Sequence, residues 1–192
     1  MFDEMYCYSQ SNVLVNVLDI RDQAKLFQAE RRLTSIRLAE LMTIRMKKDF
    51  DFDHLKRIHL YIFQDVYPWA GQVRKTNISK GVMFCDYRFI KDVAYEVFSS
   101  LHRENCLQGL SRDELVERFS FFFGEINALH PFREGNGRTQ REFFRELALY
   151  CGYRLEFKGV SEEQMIEASR ASFMKDYSLL KDMFDSGLKS LE

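Results

Sequence analysis

Apolar side chains return at helical spacing along most of the chain, and that periodicity constrains the fold more than any other feature. From Gln23 to Lys48 they fall at Leu26, Phe27, Leu33, Ile36, Leu41 and Ile44, with charged residues on the opposite face. A second run passes through Leu55, Ile58, Tyr61, Ile62 and Phe63 to about Tyr67, with Asp53 placed to cap it and Pro68 and Gly71 to stop it. Helix is expected again from Tyr87 to Glu104. Ser111 and Glu114 form a capping-box signature for a helix through Phe119, Phe123 and Ile126, which ends near His130 because Pro131 cannot continue it. Thr139 to Tyr150, closed by Gly152, and two further segments, Ser161 to Ser172 and Asp176 to Leu188, complete the pattern. One stretch departs from it. In QVRKTNISKGVMFC (72–85), Val73, Ile78, Val82 and Phe84 straddle Ser79-Lys80-Gly81, which suggests two short strands and a turn. The expected fold class is therefore all-α, a mainly helical bundle with a small β-hairpin flap.

With 192 residues, no internal repeat and no linker composition, one domain spanning 1–192 is expected, opening with an N-terminal arm over 1–20. A hydrophobic fraction of 46% excludes disorder, and a net charge of −1 removes any global basic field for nucleic acid or an anionic membrane. A basic site here must be local. Cys7, Cys85, Cys106 and Cys151 lie far apart without a CxxC pair, as free thiols of a reducing cytosol do. The first 25 residues lack the signature of a secretory leader, and no apolar run reaches membrane-spanning length. The expected location is cytoplasmic.

The richest polar chemistry lies in ALHPFREGNGRTQREFF (128–144), between two strongly apolar helical segments. Gly135-Asn136-Gly137 leads straight into a helix, whose first N–H groups and positive dipole end suit an anion. Asn136 adds a side-chain amide donor and tolerates a left-handed backbone. Arg138 starts the helix and Arg141 lies one turn on, so both guanidinium groups reach the same loop. Such a set suits a di- or triphosphate. Glu134, amid those donors, supplies the oxygen ligand that a phosphate-bound Mg²⁺ requires. His130 stands at the rim as a candidate general base, since an imidazole with an ordinary pKa near 6.5 can take a proton from a hydroxyl. The P-loop motif is absent, and so is HExxH. Transfer of a phosphorus group to an incoming nucleophile is the expected reaction.

His130 to Arg141, HPFREGNGRTQR, resembles the signature HPFx(D/E)GNGRxxR of Fic-domain proteins at every defined position. SNVLVNVLDI, IHLYIFQDVYPWAGQVRKTNISKG and EINALHPF also look like Fic segments, so the resemblance covers most of the chain. It implies a helical bundle with a flap beside the active loop. It also implies transfer of AMP from ATP to a Ser, Thr or Tyr hydroxyl of a target protein, with Mg²⁺ and release of pyrophosphate. His130 would deprotonate the hydroxyl and Glu134 would hold Mg²⁺. Gly135, Asn136 and Gly137 would cradle the ATP phosphates, with Arg138 and Arg141 on the outer ones. Lys80, Gly81 and Phe84 of the flap would dock an extended target segment by main-chain pairing.

The same resemblance bears on control. Fic enzymes are commonly inhibited by a helix carrying (S/T)xxxE(G/N), whose Glu pairs with the second motif arginine, here Arg141. SLHREN (100–105) fits the pattern but lies between flap and loop, and is read as an ordinary helix end; neither terminal region carries the pattern. The chain thus resembles Fic toxins that are restrained by a separate small antitoxin and act on DNA gyrase and topoisomerase IV. Two alternatives stand beside that reading. One is a relative that transfers another phosphate-containing group, against which Gly137 argues. The other is a silent Fic-like interaction module, which the intact His130 and Glu134 disfavour.

Overall fold

A computed structural model describes residues 3–44 and 46–191. The N-terminal arm, of which residues 1 and 2 lie outside the described part, is irregular and is tied down by Asn16. That side chain donates to the carbonyls of Leu14 and Ile20 and accepts from the N–H groups of Leu18 and Ile20. Seven α-helices and one two-stranded sheet follow among the described residues, with short 3-10 turns at Tyr87–Phe89 and Asn105–Leu107. They are α1 (Gln23–Leu41), α2 (Phe52–Phe63), α3 (Ile90–Arg103), α4 (Arg112–Leu129), α5 (Asn136–Tyr150), β1 (Tyr153–Leu155), α6 (Glu162–Phe173), α7 (Ser178–Gly187) and β2 (Leu188–Ser190). No helix is long and apolar enough to cross a membrane among the described residues.

α4 and α5 form the centre. Phe119, Phe143, Phe144 and Phe184 are fully buried and meet edge to face or tilted, a packing that adds to the area they remove from water. α2 packs across α5, α7 lies along α4, and β1 pairs antiparallel with β2 from Tyr153↔Ser190 to Leu155↔Leu188. The Ser111–Glu114 capping box forms as expected, and a second, Ser161 with Gln164, starts α6.

Several boundaries differ from the sequence reading. α1 stops at Leu41, after which Met42 and Ile44 are exposed and give a further turn nothing to pack on; Arg45, inside the expected helix, lies outside the described residues. Asp51, not Asp53, caps α2 by accepting the His54 N–H at 2.6 Å, while Asp53 sits in the first turn paired with Lys56. α5 begins at Asn136, three residues before the expected Thr139, because Gly135 in a left-handed conformation serves as its N-cap.

The flap corrects the expected hairpin most. Residues 72–85 hold only one antiparallel bridge, Ser79↔Met83, turned at Gly81 with φ +81°. The reason is where the backbone bonds go. Arg74 N–H donates to Pro131 C=O at 2.9 Å and Cys85 N–H to Ala128 C=O at 3.0 Å. The bases of both arms are therefore bonded to the end of α4 and the loop after it, while the arms meet each other only near the turn, where Phe84 N–H donates to Ile78 C=O at 3.4 Å.

Candidate active site

α4 ends on His130, which takes a left-handed conformation (φ 43°, ψ 61°) as its C-cap and donates its N–H to Ile126 C=O. Pro131 then turns the chain without a donor to offer. Phe132, 1% exposed, anchors the loop in the core. Asn136 closes the loop over it: its Oδ1 accepts from Phe132 N–H at 2.9 Å and its Nδ2 donates to Phe132 C=O at 2.8 Å. The Asn136 side-chain amide, expected to face an anion, is thus buried and used to shape the loop. What Asn136 can offer a ligand is its backbone N–H at the head of α5.

Gly135 is demanded by space as well as by its φ of +83°, since a Cβ there would lie 2.2 Å from the Phe63 ring. His59 fixes the same peptide from the other side. Its Nδ1 accepts from Gly71 N–H at 2.8 Å, so its Nε2 carries the proton and donates to Glu134 C=O at 3.0 Å. The ring stacks on Phe132 at 3.9 Å, and burial pushes its pKa down to about 3, so it stays neutral. The Glu134 carboxylate accepts Gly135 N–H at 2.9 Å and faces the cavity.

That cavity, about 850 Å³, brings together His130, Glu134, Gly135, Asn136, Gly137, Arg138 and Arg141 with Lys80 and Phe84 of the flap. Gly81 supplies the turn behind them and does not line it. The cavity lining also includes the apolar side chains of Phe157, Val160, Met165 and Ile166. Phe84 stacks on the His130 ring at 3.7 Å between centroids. His130 Nδ1 lies 3.3 Å from Asn127 C=O, which leaves the lone pair of Nε2 as the proton acceptor. Burial, then the nearby Lys80 and Arg74 charges, lower its pKa from 6.5 to about 3. The ordinary value expected from the sequence is therefore corrected downward, and the ring is neutral throughout the physiological range.

The two motif arginines stand in different surroundings. Arg138 donates to Glu30 and, at 3.2 Å, to Thr34 Oγ1, while Tyr67 OH donates to the other Glu30 oxygen. Sequence reasoning missed Glu30, Thr34 and Tyr67. Their one signal was a polar pair spaced four apart on the stripe that α1 buries, Leu26, Glu30, Thr34 and Leu41. Arg141 has no ion pair or hydrogen bond among the described residues; its guanidinium lies over Gly137, where a Cβ would stand 3.3 Å from Nη1. Glu104 of the SLHREN segment pairs with Arg118 instead.

Three carboxylates line the cavity, Glu30, Glu134 and Glu162, but both Glu30 oxygens are taken by Tyr67 and Arg138, so Glu134 is the one in the loop itself that is open to a divalent cation. Among the described residues no three His, Cys, Asp or Glu side chains gather as a cage. That fits Mg²⁺ held jointly by one carboxylate and a ligand's phosphates.

Comparison with known proteins places this geometry. The model of the Fic/DOC family matches residues 49–148. Protein adenylyltransferase VbhT of Bartonella schoenbuchensis is 38% identical over 97% of the chain, which spans 39% of that protein's length. Probable protein adenylyltransferase Fic of Escherichia coli is 35% identical over 93% of the chain and 89% of its own length. The ADP-bound N-terminal Fic domain of a VirB-translocated effector from Bartonella quintana superposes with a TM-score of 0.91, at 27% identity, over 98% of this chain and 96% of that one.

Proposed function

This chain belongs to the Fic/DOC family, and we propose that it is a protein adenylyltransferase that moves AMP from ATP to a side-chain hydroxyl of a target protein. The observation that carries the reading is one cavity holding a neutral imidazole with a free Nε2 beside oriented amides, an arginine unpaired among the described residues and the Glu134 carboxylate. The relatives over this length are named protein adenylyltransferase or probable protein adenylyltransferase, and the related effector domain holds bound ADP.

In this account the α5 N-terminus and Arg141 hold the phosphates of ATP, and Arg138 stands beside them on its Glu30 tether. Glu134 would hold Mg²⁺, which supplies neutralisation of phosphate charge when bound. His130 Nε2 takes the proton of the incoming hydroxyl as its oxygen bonds to the α-phosphorus. The bond from that phosphorus to the bridging oxygen breaks, and pyrophosphate leaves with the electron pair. The flap, with Lys80, Gly81 and Phe84 at its turn and tip, presents the target segment beside His130.

The finer reading is a toxin acting on DNA gyrase and topoisomerase IV in the cytoplasm and restrained by a small antitoxin carrying an (S/T)xxxE(G/N) helix. The partnerless Arg141 supports it, because a partner's carboxylate there would displace a phosphate. The test is incubation with Mg²⁺ and ATP labelled at the α- or the γ-phosphate, with purified gyrase or bacterial lysate. Transfer of α-label supports the proposal; transfer of γ-label, or of neither, overturns it.

A further inference from the structure

Arg74 is 1% exposed and has no ion pair among the described residues. Every acceptor it meets is a backbone carbonyl. Nε donates to His130 C=O at 2.8 Å, Nη1 to Thr76 C=O at 2.8 Å, and Nη2 to Cys85 C=O and, at 3.4 Å, to Leu129 C=O. Its own N–H donates to Pro131 C=O at 2.9 Å. Burying a cation without a counter-charge is costly, and filling space alone would be served by an apolar side chain. The carbonyls explain the choice. Leu129 and His130 end α4 just before a proline, so their oxygens have no helical donor, and a guanidinium can satisfy several such oxygens at once.

The four carbonyls fall in two groups. Thr76 and Cys85 are on the two arms of the flap, and Leu129 and His130 are at the loop. His130 itself holds a left-handed backbone that side chains rarely adopt. We propose that Arg74 is a positioning residue that locks the flap and His130 into one rigid unit, so that a target segment docked on the flap arrives in register with Nε2. This rests on the AMP-transfer reading for its consequence, though not for its geometry.

Two measurements test it. In the full chain, Arg74→Gln is expected to lower kcat for α-label transfer about 100-fold, the cost of a misplaced reacting group, with KM for ATP held within about twofold. Arg74 touches none of residues 134–141 with its side chain, so ATP seating is spared, and Arg74→Lys restores part of kcat. In the wild-type protein, hydrogen exchange at the amides of Arg74, Cys85 and His130 is expected to share one opening free energy and one denaturant dependence. A folded Arg74→Gln with wild-type kcat, or with kcat and ATP affinity lost together, overturns the proposal. So does independent exchange of flap and loop amides, which also decides the matter if the variant does not fold. Coupled exchange in a protein that transfers no label would uphold the clamp and reject the transfer reading.

Discussion

Arg138 at the head of α5 and Glu30 of α1 stand 108 positions apart in sequence, yet they form a largely buried ion pair, with 22% and 8% of their side chains exposed. The pair ties α1 to the head of α5 and fixes where the Arg138 guanidinium stands at the cavity. A double-mutant cycle with Glu30→Gln and Arg138→Gln is expected to show a coupling of roughly 0.5–3 kcal/mol in thermal or denaturant unfolding. Additive losses would mean that the contact holds nothing together.

Gly135 and Gly137 predict opposite outcomes for the same substitution. Gly135→Ala combines a left-handed φ with a 2.2 Å overlap on Phe63, each about 1–3 kcal/mol. It should unfold or strongly destabilise the chain. At Gly137 the new methyl would meet only the mobile end of Arg141, so Gly137→Ala should keep its melting temperature and bind ATP more weakly. Calorimetry and nucleotide titration on both variants check the contrast.

His130 sets a pH dependence. Its folded pKa of about 3 lies below the ordinary 6.5, because burial, Lys80 and Arg74 all oppose the charged ring. Between those values the unfolded chain binds a proton that the folded chain refuses, so stability falls as pH drops through that window. The slope from this residue is about 1.4 kcal/mol per pH unit. Unfolding of His130→Asn should lose that slope; identical slopes in variant and wild type would contradict the assignment. By the same value, kcat/KM should show no acid limb from His130 near pH 6.5.

His59 offers a test of loop support that does not involve chemistry. His59→Phe preserves the stack on Phe132 but leaves Glu134 C=O and Gly71 N–H without their partner. Leaving such buried groups unpaired costs about 1–3 kcal/mol each. Unchanged stability in urea would show that the ring's hydrogen bonds are dispensable.

What the sequence disclosed, and what it withheld, follows from range. The loop from His130 to Arg141 was legible because its proline, glycines and charges act on their own neighbours. The helices were legible from their spacing, within about four residues at the ends except for α1, which stops at Leu41, seven residues before Lys48. The shortness of the flap's pairing was not legible, because the bases of its arms bond the end of α4 and the following loop some fifty residues on, and alternation cannot say which backbone a segment will bond. Asn136 read as a ligand donor because nothing local shows that Phe132 uses its amide. Glu30 and Tyr67 owe their roles to contacts distant in sequence, and Arg74 joins nearby flap carbonyls to distant ones at the end of α4, a combination with no local signature.

The most direct test of the account is single-turnover transfer of α-labelled AMP by wild type and His130→Ala at saturating Mg²⁺ and ATP, with ATP affinity measured alongside. The account predicts a rate loss of about 10²–10⁴-fold in the variant, with ATP binding retained, as expected for removal of a general base beside an intact phosphate site. Transfer at the wild-type rate without the imidazole, or loss of ATP binding along with it, would contradict it.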